Sequence, residues 1–366
     1  MNQASSWTDS YWEHEYEQIK RKHKKTQHNM DMKHSQVNHI HHNIRQQSFR
    51  SLIHHMKFPI IKHAKKWLII GLILIIGSVS LFWKNAHPSV QFTGGVELKT
   101  DAMLTNEEVK SALEPKLKEI GYESPTINVA QQDKTSRILI QVDVNNQEQV
   151  QKLSTVVGEY IKSKNASVLE QSVIGASVGE YVKNSAIKAL ALGILFIALY
   201  MMFTFSAVRE MVSPLVLAFI TIVTLLFDIA IPAGAYGILS SIDPTVQVDL
   251  VFIAAILTVM GYSINDTIII FDRVRENTSL YEGALKTGKM SYLQIFEDSL
   301  RQTMRRSLGT SVAAFIMVIM MRILGTGIIK LFAFIIGAGI IAGTLSSIFI
   351  AAPLAYLFVR YTKGKK

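Results

Sequence analysis

Asp228, Asp266 and Arg306 fall where the sequence is otherwise apolar. In hydrocarbon an ionisable side chain costs at least ~2.5–3.5 kcal/mol by insertion scales, so such residues mark proton or ion pathways or pairs between helices. Asp266 belongs to the polar run Gly261-Tyr262-Ser263-Ile264-Asn265-Asp266-Thr267. Helical spacing puts Tyr262, Ser263, Asp266, Ile270 and Arg273 on one face, which is expected to point into a helix bundle. Arg306 opens a later apolar segment, with Thr303, Ser307, Thr310 and Ser311 on its first turns. Asp266 lies about five residues, ~8 Å at helical rise, from the inner end of its segment. It is therefore expected at the same depth as Arg306, near the cytoplasmic face. Asp228, on a segment running the other way, is expected nearer the outer side and suited to a separate step. Burial favours the neutral form of a carboxyl and a nearby guanidinium favours the charged one. A contact between Asp266 and Arg306 that forms and breaks would meet the requirement for a proton-coupled switch. A static polar contact between helices is the alternative these residues leave open.

The elements that must carry these groups follow from composition. Of 366 residues 49% are hydrophobic and 18% charged, too apolar for a soluble protein. The apolar residues fall in long blocks, and a helix needs about 20 of them to cross a bilayer. Six spans are expected, at 67–83, 186–207, 212–236, 248–271, 308–323 and 328–358. The loop over 272–307 and the tail 359–366 are rich in Lys and Arg, whereas the loop 237–247 has none. By the positive-inside bias both termini are then cytoplasmic, in a multi-pass protein of the bacterial cell membrane.

Residues 1–66 hold 12 Lys/Arg against 5 Asp/Glu and have no sustained apolar period. They are expected to be a basic, His-rich, largely disordered cytoplasmic extension facing anionic membrane lipid, with an interfacial helix over 49–66. No nucleic-acid fold is legible there. The first apolar run ends in Phe82-Trp83-Lys84 with no cleavage site and reads as an uncut span. There is no cysteine, which excludes disulfides, thiolate metal sites and cysteine catalysis.

Between the first two spans, residues 84–185 change character. Val90–Thr100 reads as a strand, with Gly94-Gly95 marking a bulge or close backbone approach. Thr105 and Glu108 open a helix as a capping box, with Val109, Leu113, Leu117 and Ile120 on one face. Two strands follow over 126–130 and 137–144, then a helix over 147–162 and a strand over 168–174. The order β-α-β-β-α-β is that of a small α+β ferredoxin-like domain, placed outside the membrane. The fold class is thus a polytopic α-helical membrane protein of six transmembrane helices with one such domain.

The run from Gly261 to Asn277, which includes Asn265, Asp266, Asp272 and Arg273, resembles the fourth-span signature of the SecF family. Gln91-Phe92-Thr93-Gly94-Gly95 is similar to the family's motif after the first span. Arg306 to Ser311 resembles the start of its fifth span, and Gly343 to Ala351 its sixth. The resemblance covers Trp67 to the C-terminus and implies a subunit related to the resistance-nodulation-division transporters. It implies SecD, the SecYEG channel and, in many members, YajC as partners, preproteins as substrates, and the proton gradient as energy source. The family's intramembrane acid and arginine fall on Asp266 and Arg306. Gln91 stands where the family has an acidic residue, Ser307 where it has threonine, and residues 1–60 exceed its usual short N-terminus.

Other signals carry less. Gly283 to Met290 begins like a phosphate-binding loop but lacks the Ser/Thr for Mg²⁺ and a preceding strand. The histidines at 39, 41, 42, 54 and 55 lack carboxylate or thiolate company and read as a solvated tail, so no metal site is expected. Gly339 and Gly343 fit close helix packing. No catalytic residues, no enzyme activity and no cofactor are expected. A half-transporter for lipophilic small molecules and a non-transporting scaffold remain the competing readings.

Overall fold

The computed structural model describes residues 59–122, 125–132, 135–142, 147–205, 212–243 and 246–363. The expectations for the disordered extension and for His39, His41, His42, His54 and His55 lie outside these residues. Among the described residues no cluster of His, Cys, Asp or Glu could hold a metal ion.

Six helices are long and apolar enough to cross a membrane: Ile61–Asn85, Ala176–Thr204, Pro214–Ile242, Leu250–Leu280, Tyr292–Leu324 and Ile328–Lys363. They correspond to α1 (Ala64–Asn85, entered through a 3₁₀ turn Ile61–His63), α4 (Ala176–Thr204), α5 (Pro214–Ile242), α6 (Leu250–Leu280) and α7 (Tyr292–Leu324). The last is broken into α8 (Ile328–Ser346), a π-helical turn Ser347–Ala351 and α9 (Ala352–Lys363). Several helices outrun the apolar stretch that marked them. α7 begins at Tyr292 rather than 308, because Ser291 and Gln294 close a reciprocal capping box that starts the helix inside the polar loop. Residues 59–66 likewise form no separate surface helix; they are the 3₁₀ turn and first residues of the α1 helix.

The sheet domain has the expected order: β1 (Gly95–Thr100), α2 (Asn106–Glu119), β2 (Thr126–Gln132), β3 (Thr135–Gln141), α3 (Gln147–Ser163) and β4 (Val168–Ile174). Its strands lie β2-β3-β1-β4, all antiparallel, with Val96 opposite Ile140 and Leu98 opposite Ile138. Alternation turns Val96, Leu98, Ile138 and Ile140 to one face, where Val109, Leu113 and Leu117 of α2 and Leu153, Val157 and Ile161 of α3 cover them. Thr105 caps α2 by accepting from the Glu108 N–H at 3.3 Å. The Glu108 carboxylate pairs with Lys164.

One expectation fails at the start of this domain. Val90–Thr93 is a helical turn, not strand, because Ser89 accepts the Gln91 N–H and winds the chain as it leaves α1. The strand begins only at Gly95. The glycines act by close approach: Gly94 and Gly95 have φ of +77° and +125°. A Cβ on Gly95 would stand 2.2 Å from the Ile140 carbonyl oxygen, and one on Gly94 2.8 Å from Ala176 Cα. Gly179 of α4 packs on the same backbone, so β3, α4 and the turn after α1 meet without side chains between them.

The membrane end nearest the sheet domain is tied to it through α6. The Gln91 side chain accepts the Leu250 N–H at 3.0 Å, and Asp249 caps the same helix from Phe252 N–H at 2.8 Å. The Ser89 N–H donates to the Val248 carbonyl at 2.9 Å. Gly95→Ala should lower the stability of the sheet domain by about 1–3 kcal/mol, since L side chains resist this conformation and the strand pair must open to admit the methyl. Hydrogen exchange at Val96 and Ile140 checks it; unchanged protection there would refute the account.

Candidate functional site

The polar groups that no aqueous face explains gather where α5, α6, α7 and α8 meet. Asp228 on α5 is 0% exposed and Asp266 on α6 is 2% exposed. Ser263 donates its hydroxyl to Asp228 Oδ2 at 2.5 Å, and Ser311 of α7 donates to Asp266 Oδ2 at a long 3.4 Å. Ser307, one turn before Ser311, is fully buried and faces Asp266 without completing a hydrogen bond. Among the described residues Asp228 Oδ1 lacks a partner as well, and no cation among them pairs with either carboxyl, so hydroxyls alone hold both.

Those hydroxyls form a network across helices. Ser311 and Thr344 of α8 share a bond of 2.7 Å, and Thr267 meets Ser347 at 3.0 Å. Ser347 opens the π-helical turn that separates α8 from α9. Single π turns inside helices recur at functional sites because they free backbone groups and re-aim side chains. Thr221 and Thr224 extend the buried polar face of α5 toward its N-terminus, each returning its hydroxyl to its own helix backbone.

Close packing makes this possible. A Cβ on Gly339 would stand 2.1 Å from Val259, and one on Gly343 2.8 Å from Ser263 Cβ. The two glycines, four apart on α8, thus accept the two α6 side chains four apart on the facing ridge. The expectation of helix contact at Gly339 and Gly343 is met, and it lies at the acid site itself.

Other expected positions separate. Asp228 is not remote from Asp266: it bonds Ser263, one turn along the same α6 face, so it joins the site instead of serving a distant step. The Asp266–Arg306 contact is not formed; Arg306 is exposed and makes no ion pair among the described residues. The helix phase turns Ser307 inward and so turns its neighbour Arg306 outward. Tyr262 leaves the acid face and packs among Val318, Ala333 and Ile340. Arg273 pairs with Glu276 at 2.9 Å and Asp272 with Arg275 at 3.0 Å, both near the surface. Gly261 and Asn265 are exposed, on the side of α6 away from Ser263 and Asp266. Residues 283–290 form a short helix, Glu282–Lys286, and a turn at Gly288.

Sequence reading missed Thr221, Thr224 and Thr344 as part of one polar column. The signal existed: Thr221, Thr224 and Asp228 recur at helical spacing on an apolar helix. Ser263→Ala would leave the buried Asp228 carboxyl without its donor and should cost about 1–3 kcal/mol. Detergent-based unfolding of the purified protein measures it, and wild-type stability would show that the bond is not formed.

Comparison with known proteins gives a consistent picture. Residues 154–361 match the model for "Protein export membrane protein SecD/SecF, C-terminal". The chain is 29% identical over 318 residues to the protein translocase subunit SecF of Sebaldella termitidis, spanning 85% of this chain and 95% of that protein. It is 30% identical to SecF of Thermobaculum terrenum, over 79% of this chain and 89% of that protein. Against the protein translocase subunit SecDF of Thermus thermophilus the identity is 29%, over 78% of this chain and 36% of that protein. A crystal structure of SecDF, described as a translocon-associated membrane protein, superposes with a TM-score of 0.65 at 25% identity. It matches 81% of this chain and 38% of that one.

Proposed function

Since the chain belongs to the SecD/SecF family of protein export membrane proteins, we propose that it uses the proton motive force to promote Sec-dependent protein export. The observation that carries this reading is Asp266, buried between α6 and α7 with serine hydroxyls as neighbours and no fixed counter-charge among the described residues. A permanently paired acid would hold one ionisation state. An acid held only by hydroxyls can exchange a proton, because a hydroxyl serves both forms: it donates to a carboxylate and accepts from a carboxylic acid.

Asp228, Ser263 and Asp266 line one column, and we assign them to one proton path. Arg306 enters when α7 turns or when another chain presses it inward, supplying the charge that favours release of the proton. Asn265 and Arg306 are polar and exposed on helices long enough to span a bilayer, so both call for cover from protein. SecD is the partner that fits: the Thermus thermophilus and Bacillus subtilis relatives are single SecDF proteins, of which this chain matches about a third. SecYEG, YajC and preprotein contacts are further parts of the reading, which needs no cofactor and no covalent chemistry. Orientation follows the basic loops, with both termini cytoplasmic and the sheet domain outside.

The route from proton site to outer domain is α6. Asp266 lies sixteen residues, ~24 Å at helical rise, from the helix start that Gln91 and Asp249 cap. A shift of α6 on proton exchange reaches the sheet domain directly.

Asp266→Asn should abolish the gradient-stimulated part of late preprotein export in membrane vesicles, leaving export at its level without a gradient. Gradient-stimulated export equal to wild type would sink the motor reading and favour the scaffold. The small-molecule exporter predicts instead that the wild type purifies without SecD or channel subunits.

A further inference from the structure

At the end of the bundle opposite the sheet domain, the 3₁₀ turn, the start of α1, the start of α7 and α9 line a half-open cavity of about 560 Å³. Lys62, Lys65 and Lys66 line it from the first chain segment, Arg360 from α9 and Ser291 from the α7 N-terminus. The three lysines recur at i, i+3 and i+4 and so share a helix face, where like charges repel. Among the described residues none of the four cations has an ion-pair partner. Lys363 nearby is taken up by the ring of Tyr292, 5.9 Å from its centroid. Glu297 and Asp298 are the carboxylates on the neighbouring turn of α7, and neither lines the cavity. Glu297 is turned inward, accepting the Ile61 N–H at 2.7 Å and the Lys62 N–H at 3.3 Å.

The geometry points to a binding site for the phosphate headgroup of an anionic phospholipid. Four cations with no ion-pair partner among the described residues line, with the positive end of a 33-residue helix, a space large enough for a headgroup. The Arg360 guanidinium offers the forked donors that suit phosphate, and the lysines add charge. Tyr356 and Leu357 give the cavity an apolar wall. The apolar stretch of α1 begins just beyond it, at Trp67 and Leu68, which places the cavity at the headgroup level of the bilayer. A soluble phosphate would use the cations and gain nothing from the wall or the depth; a lipid uses all three. Glu297 fixes the backbone of the turn that carries Lys62 against α7 before any ligand arrives.

With the orientation proposed above, this leaflet is the cytoplasmic one, but the binding itself does not depend on that assignment or on proton coupling. The full chain, purified in detergent, is titrated with dioleoylphosphatidylglycerol, dioleoylphosphatidylcholine and inorganic phosphate, and bound lipid is counted by native mass spectrometry. Phosphatidylglycerol should be retained over phosphatidylcholine, with retention falling about fivefold for each cation removed in Lys62→Gln, Lys65→Gln and Arg360→Gln. Ser291→Asp keeps an N-cap residue but puts an anion in the cavity, and should reduce retention without loss of fold. Lys330→Gln at the other end of the bundle, and Asp266→Asn, should bind as wild type. Equal retention by wild type and the cavity variants would overturn the proposal. So would displacement of phosphatidylglycerol by millimolar inorganic phosphate, which would mark a site for free phosphate.

Discussion

A carboxyl taken out of water must find donors or give up its charge, and Asp228 and Asp266 meet that condition with serine hydroxyls only. The arrangement of the membrane helices follows from it. Ser263 can reach Asp228 only if α5 and α6 are adjacent, and Ser311 can reach Asp266 only if α7 lies against the other side. Thr344 of α8 and Ser347 of the π-helical turn then have to face inward, and they do so because Gly339 and Gly343 remove the bulk that would hold α8 away. An ion pair in this place would be stronger but harder to change. A hydroxyl cage costs less to rearrange and accommodates both protonation states.

The same economy of bulk ties the membrane helices to the sheet domain. Gly94, Gly95 and Gly179 let strand, turn and helix backbones meet directly. Gln91 occupies a backbone donor at the start of α6. An amide oxygen accepts this bond without bringing a charge beside the bilayer. One rigid helix then carries both the link to the sheet and the two groups at the acid site. At its far end the bundle is closed by Glu297, whose carboxylate fastens the entry of α1 to α7.

Much of this was legible beforehand because two periodicities write it plainly. Long uncharged blocks reported the six spans, and the alternation at Val96, Leu98, Ile138 and Ile140 reported the sheet. Element ends were less legible. A hydropathy reading locates where a helix is apolar, whereas the helix stops where its backbone donors are capped; Ser291 and Asp249 set those ends from within polar sequence. Val90–Thr93 misled for a related reason, since its residues favour a strand and a single serine cap wound them into a turn.

Residue type and spacing by themselves determined that Asp228 and Asp266 lie in membrane helices, and that Ser263 shares a face with Asp266. Those are properties of one helix at a time. Which helix supplies the partner depends on how each is rotated about its own axis when packed, and a turn of one residue, about 100°, exchanges Ser307 for Arg306. Only the tertiary structure decided that phase. It set Ser307 and Ser311 against Asp266, brought Asp228 to Ser263, and left the guanidinium outside, because the glycines of α8 and the hydroxyls of α7 pack inward more closely than an arginine can.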